Sequence, residues 1–96
     1  MSDKPWKRAE RRVAQIVGGQ RVGNNGHGGE DVEHDRLSLE VKHRKTIPAL
    51  IGTAYDQARR NADGKVPVVV LHAAGSPRYM AVLDLVDLVG LIEGGE

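Results

Sequence analysis

Two carboxylates and one lysine are spaced so that a β-hairpin would gather them on one face. Asp31 is followed by eight residues and then by Glu40, Val41 and Lys42. The alternation of apolar and polar side chains around Asp35-Arg36 predicts two antiparallel strands joined there by a turn. In that register Asp31 and Glu40 are opposite partners with Cβ atoms roughly 5 Å apart, and Lys42 projects from the same face.

This arrangement favours a divalent cation bound between the two acids. Like charges directly opposite each other destabilise a sheet, so a cation between Asp31 and Glu40 would offset their repulsion. Mg²⁺, or Mn²⁺ in its place, takes oxygen ligands from one or two carboxylates, and the Val41 carbonyl could add a third oxygen. Lys42 would hold an attacking water or neutralise charge on a phosphorane-like transition state. The residues therefore predict metal-dependent hydrolysis of a phosphate ester.

A further carboxylate lies on the first predicted helix, which runs from Lys4 to Val17. Its apolar side chains recur at spacings of three and four, which gives the helix one apolar stripe. Glu10 falls beside Val17 at the edge of that stripe. A carboxylate in such a position needs a partner, either a metal or a nearby arginine such as Arg11 or Arg36.

The elements that must position these residues follow the order α-β-β-β-α-β-β-α, which predicts an α/β fold in a single domain covering residues 1–96. The β-branched run from Val66 to His72 predicts a strand buried on both faces, with His72 as a core or interface histidine. The predicted helices are Lys4–Val17, Thr46–Asn61 and Asp84–Glu93, and the predicted strands are Gln20–Val22, Glu30–His34, Leu37–His43, Val66–His72 and Arg78–Leu83.

Asp31 followed by Glu40-Val41-Lys42 resembles the motif of the PD-(D/E)XK nuclease superfamily, over about residues 6 to 72. The resemblance implies a restriction-endonuclease-like core, with a central mixed β-sheet flanked by helices. Glu10 matches a glutamate that completes the metal site in the resolvase-like branch. Gln57 matches a glutamine on the helix after the lysine strand, which would orient water or phosphate. Glu30 stands where the proline of the motif would be.

The same resemblance implies a Mg²⁺- or Mn²⁺-dependent DNA endonuclease. Its small phage and archaeal-type members include Holliday junction resolvases, which implies a structure-specific activity on branched DNA by a homodimer. Two basic segments are candidate DNA-backbone contacts, although charge runs of this kind are often only solvated. They lie on the first helix, where Lys7 and Arg11 are the leading candidates, and directly after the motif at His43, Arg44 and Lys45.

A second class of function is kept open, namely a non-catalytic DNA-binding or assembly subunit with a nuclease-like fold. Under that hypothesis Glu40 and Lys42 form a surface ion pair, which contributes little to stability. Glu10 is then simply paired with an arginine. Metal-dependent cleavage of DNA discriminates between the two classes.

Composition excludes several other classes. The chain has 96 residues with 14 Lys and Arg against 13 Asp and Glu, so its net charge of +1 identifies no partner by itself. One Trp, two Tyr and no Phe disfavour a surface on which several nucleobases stack. The absence of cysteine excludes disulfides, a cysteine-ligated zinc and a thiol nucleophile.

The sequence also leads to expectations for the cellular location and the oligomeric state of the protein. The longest apolar run, Val66–Ala74, is too short for a bilayer span of about 20 residues. The N-terminus has no apolar signal segment, so the expected location is cytoplasmic, in the host cell if a phage encodes the protein. The last helix is apolar over more than half of its circumference, which predicts a second apolar contact and favours a homodimer.

Overall fold

The computed structural model describes residues 4–22 and 30–94, and these form an α/β protein in the predicted order of elements. The glycine-rich segment at 23–29 lies outside the described residues. The helices are α1 (Pro5–Val17), α2 (Ala49–Arg60) and α3 (Leu85–Glu93). The strands are β1 (Gln20–Arg21), β2 (Val32–Glu33), β3 (Ser38–Leu39), β4 (Val69–His72) and β5 (Tyr79–Val82).

The sheet topology differs from the central mixed sheet that the family resemblance implies. Within the described ranges, β1, β2 and β3 form a three-stranded antiparallel sheet, and β4 and β5 form a separate two-stranded antiparallel sheet. The chain divides into two compact units, residues 1–45 and residues 46–96, each with one of these sheets. The restriction-endonuclease-like core and the single domain therefore stay predictions.

In the first unit, α1 packs on the three-stranded sheet. Ala14 and Val17 on the apolar face of the helix are buried, as is Val32 in the central strand β2. Pro5 begins the helix, where its missing amide N–H costs nothing. Gly18 ends the helix in the left-handed conformation, with φ of 73°, which glycine adopts without a steric penalty.

In the second unit, α2 packs against β4, and Val69 is the buried residue of that strand. The predicted burial of β4 on both faces is wrong, because Val70 is 62% exposed and His72 is exposed as well. A two-stranded sheet that carries a helix on one face leaves its other face uncovered. The Asp84 side chain accepts a hydrogen bond of 2.8 Å from the Val86 amide and so caps α3.

Among the helices in the described part of the chain, none combines the length and the apolar character needed to cross a membrane.

Candidate functional site

The chemistry-bearing residues of the first unit meet at one end of its sheet. Arg21 pairs with Val32 and Val32 pairs with Leu39, so β1 ends, β2 begins and β3 ends side by side. The Val22 amide donates a hydrogen bond to the Asp31 carbonyl at 2.9 Å, which extends the pairing one residue beyond the strands. We call this the Asp31 end of the sheet, and define it by Arg21, Asp31, Glu40, Val41 and Lys42.

The Asp31 carboxylate is held against the backbone between Glu40 and Lys42. Its Oδ2 atom accepts a hydrogen bond of 2.7 Å from the amide of Val41, and the residue is only partly exposed. A hydrogen bond from a backbone amide to an ionised carboxylate is among the stronger hydrogen bonds in proteins. It fixes Asp31 beside the Glu40-Val41-Lys42 segment.

The hairpin register is the predicted one within the strands but not at Asp31 and Glu40. Val32 pairs with Leu39 and Glu33 pairs with Ser38, as expected. The ladder then stops, because the Asp31 amide donates to the Leu39 carbonyl at 2.8 Å, one residue out of register. The regular pair of Asp31 with Glu40 is therefore replaced by the contact of the Asp31 side chain with Val41.

Glu40 and Lys42 form an ion pair at the surface. The Lys42 Nζ atom lies 2.9 Å from Glu40 Oε2, and the side chains are 66% and 57% exposed respectively. In water such a pair contributes little free energy, so either group can exchange its partner for an incoming ligand. This pair is the surface interaction expected under the non-catalytic hypothesis, and it also leaves both groups accessible to a substrate.

Glu10 is buried at 8% exposure and is paired with Arg21. The Arg21 Nε atom donates to Glu10 Oε1 at 2.7 Å. The prediction that Glu10 needs a partner is thus confirmed, and the partner is an arginine that sequence reasoning did not single out. The available signal was a basic residue in the short predicted strand Gln20–Val22, directly after the helix that carries Glu10.

The three predicted acidic ligands do not assemble into one metal-binding group. In residues 4–22 and 30–94, no three His, Cys, Asp or Glu side chains lie close enough together to hold an ion. The physical reason at Glu10 is its bond to the Arg21 guanidinium, a cation that already neutralises it. Asp31 and Glu40 remain as the two carboxylates at the Asp31 end of the sheet, and one or two carboxylates are the protein ligands that Mg²⁺ commonly takes.

Gln57 belongs to the second unit. It lies on α2 and is exposed. The site in the first unit is therefore built without it, and its role in orienting water or phosphate stays a prediction.

The predicted DNA contacts are at the surface. Arg11 on α1 is exposed, and Lys7 places its Nζ atom 5.5 Å from the centre of the Trp6 ring, a cation–π contact. The segment of His43, Arg44 and Lys45 is exposed throughout and continues directly from the Asp31 end of the sheet.

Comparison with known proteins gives no relative from which a function could be transferred. No family model, no curated protein and no solved structure matches this chain.

Proposed function

We propose that this protein is a metal-dependent DNA endonuclease that hydrolyses phosphodiester bonds, with a structure-specific preference for branched DNA such as Holliday junctions. One observation carries the proposal. The Asp31 carboxylate is hydrogen-bonded to the Val41 amide, and this bond holds it against the backbone segment that carries the accessible Glu40 and Lys42 side chains. Two acids and a lysine that belong to one short stretch of adjoining backbone suit phosphate chemistry better than simple adhesion to a polyanion.

The cation in this proposal is Mg²⁺ or Mn²⁺. Asp31 and Glu40 would hold it, with the Val41 carbonyl as a further oxygen ligand. The bond from Val41 uses Oδ2 of Asp31, and Oδ1 would be the atom that binds the ion. When bound, such an ion activates water and stabilises the negative charge that develops on a phosphate during hydrolysis.

The other residues of the site act through their own charges. Lys42 exchanges Glu40 for the phosphate and stabilises its developing charge, or holds the attacking water. This proposal does not use Glu10 as a metal ligand, because its carboxylate is already paired with Arg21. His43, Arg44 and Lys45 supply phosphate contacts that fix the DNA backbone beside the site.

A labelled four-way junction and a linear duplex, each incubated with Mg²⁺ or with a chelator, test the proposal. We expect the wild type to cleave the junction in Mg²⁺ but not in chelator. The variants Asp31→Asn and Glu40→Gln should lose this cleavage, because they keep the side-chain shape but remove the charge that binds the ion. Asp35→Asn is the matched control, since Asp35 is exposed and follows the other end of β2. That control should cut like the wild type.

The possible outcomes show separately whether the protein cleaves DNA and which DNA structure it cleaves. Cleavage of the junction without cleavage of the duplex supports the resolvase-like assignment. Cleavage of nicks, flaps or single strands keeps the nuclease and changes its substrate. Metal-dependent cleavage that Asp31→Asn retains in full would contradict the proposed site.

The second candidate is a non-catalytic DNA-binding or assembly subunit. The observation that favours it is the engagement of Glu10 by Arg21, which removes one acid from the metal site. This candidate predicts binding of the junction with the same affinity in Mg²⁺ and in chelator, without cutting of any DNA.

A homodimer is part of the proposal, because cutting two strands of a junction symmetrically requires two sites. Its support is the exposed apolar surface of α3, where Val86 is 61% and Leu91 is 52% exposed.

A further inference from the structure

Two rings form an exposed stack near the tip of the β4–β5 hairpin. His72 and Tyr79 are direct partners across the two strands, so their side chains project from the same face of the sheet. The ring centres are 4.0 Å apart and the ring planes differ by 8°. Tyr79 is nevertheless 68% exposed. The proposed nuclease site uses neither residue.

The stack is held in place by the hairpin itself. The Nε2 atom of His72 lies 2.9 Å from the Ser76 carbonyl oxygen. Since a carbonyl oxygen only accepts hydrogen bonds, His72 donates from Nε2, and its ring orientation is fixed. The Ser76 hydroxyl in turn accepts a hydrogen bond of 3.1 Å from the Arg78 amide, which orders the chain entering β5. The rings are therefore positioned before any ligand arrives.

One face of the Tyr79 ring is open. Its inner face covers His72, and in the sheet that the structure describes β5 pairs with β4 alone. The outer face of the ring thus points towards an uncovered sheet edge. Val70 and Ala81 are paired on the same sheet face and are both exposed, so an apolar floor adjoins the rings.

The hairpin segment that carries the stack has one Lys, Arg, Asp or Glu residue, and it is an arginine. From Val66 to Leu83 the chain contains Arg78 and no Lys, Asp or Glu. Arg78 directly precedes Tyr79 and is exposed. A planar apolar partner that carries negative charge nearby is therefore complementary to this surface.

We propose that the His72–Tyr79 stack binds an unpaired base of a single-stranded nucleic acid, with Arg78 contacting an adjacent phosphate. A nucleobase supplies the flat ring that stacks on Tyr79, and the phosphate supplies the charge that Arg78 complements. The scarcity of aromatic residues excludes a surface that stacks many bases, but a site for one base needs only one open ring. This inference is independent of the proposed nuclease activity.

Binding of a single-stranded oligothymidylate that carries one 2-aminopurine tests the site, in chelator so that no cleavage can occur. Stacking on an aromatic ring quenches the emission of 2-aminopurine, and the label also reports affinity. We expect Tyr79→Leu to weaken binding about 5- to 150-fold and to abolish the quenching, the effect of losing one base–aromatic stack. Tyr79→Phe is the matched control, because it keeps the ring and should bind and quench like the wild type.

Further arms of the experiment complete the test. Arg78→Ala should lower the salt dependence of binding by about 0.7 in the log–log slope, as expected for one lost phosphate contact. The matching RNA strand shows whether the base comes from DNA or RNA, and a perfectly paired duplex should bind more weakly than either single strand. Equal binding and quenching by the wild type and Tyr79→Leu would overturn the inference, and so would a duplex that binds as well as the single strand.

Discussion

Glu10 illustrates how burial sets the chemistry of a carboxylate. The residue lies on the buried side of α1, and removal of a charge from water is unfavourable unless a partner compensates. The Arg21 guanidinium is that partner, and its own side chain is 24% exposed. The pair thus joins the helix to the edge strand of the sheet that carries Asp31.

We expect Arg21→Met to lower the free energy of unfolding by about 3 kcal/mol, because it leaves Glu10 buried without its partner. The double variant Glu10→Leu with Arg21→Met should lose much less, since no unpaired charge remains. Urea denaturation of the two single variants and the double variant measures this coupling. A double variant that loses the sum of the two single losses would show that the two residues act independently.

The sequence predicted the need of Glu10 for a partner but not the identity of that partner. The 3.6-residue periodicity of α1 places Glu10 beside Val17, so its burial follows from local structure. The choice of Arg21 depends on how the chain turns at Gly18 and Gly19 and lays β1 against the helix, which is a tertiary result. The same limit applies to Asp31, whose partner is a backbone amide ten residues away.

At the level of the elements, the hairpin and its register were predictable, because the alternation and a turn centred on Asp35-Arg36 define both. The point at which the pairing of β2 and β3 ends was not predictable. The Asp31 amide bonds to the Leu39 carbonyl, and its side chain bonds to the Val41 amide, so two hydrogen bonds replace the regular pairing with Glu40. A prediction from the alternation of side chains assumes that the pairing of the two strands continues. The alternation contains no signal that other hydrogen bonds replace the pairing at Asp31.

The turn from α1 into β1 requires glycine at position 19. A Cβ atom on Gly19 would overlap the backbone carbonyl oxygen of Glu33, which belongs to β2 and cannot move without shifting the sheet. We expect Gly19→Ala to destabilise the protein by about 3 kcal/mol, the upper part of the range for overpacking. Thermal and urea unfolding measure the change.

Gly52 provides the matched control for that prediction. It lies within α2, and a Cβ atom there would meet nothing within 4 Å. Gly52→Ala should therefore stabilise the protein by about 0.5–1 kcal/mol, because alanine loses less backbone entropy in a helix. If Gly19→Ala is as stable as Gly52→Ala, the close approach of position 19 to Glu33 is not a constraint on the fold.

The burial of β4 was predicted from a local pattern that two different sheets share. A run of β-branched residues is typical of a strand covered on both faces. It is equally compatible with a two-stranded sheet that has a helix on one side only, as Val69 and Val70 show by their opposite burial. The number of strands in the sheet, which no single segment encodes, decides between the two.

At the level of the whole molecule, exposed apolar surface is distributed unevenly between the two units. Among the described residues, Trp6 is the exposed large hydrophobic side chain of residues 1–45, whereas the others belong to residues 46–96. These others are Ile47, Leu50, Val66, Val68, Val70, Tyr79, Met80, Val86 and Leu91. Where such side chains form a contiguous apolar patch, the patch marks an interaction site more often than a solvated surface.

The homodimer proposed above would bury part of this surface through α3. We expect size exclusion with light scattering to give a dimer for the wild type and a monomer for the variant Val86→Lys with Leu91→Lys, since burying two ammonium groups opposes association. Thr53→Lys, at an exposed polar position on α2, adds the same type of side chain and should remain dimeric. A wild type that is monomeric even at high concentration would contradict the dimer. A monomer would also remove the structural basis for symmetric cutting of a junction. It would not decide whether the protein makes one metal-dependent incision, which the Asp31→Asn variant tests.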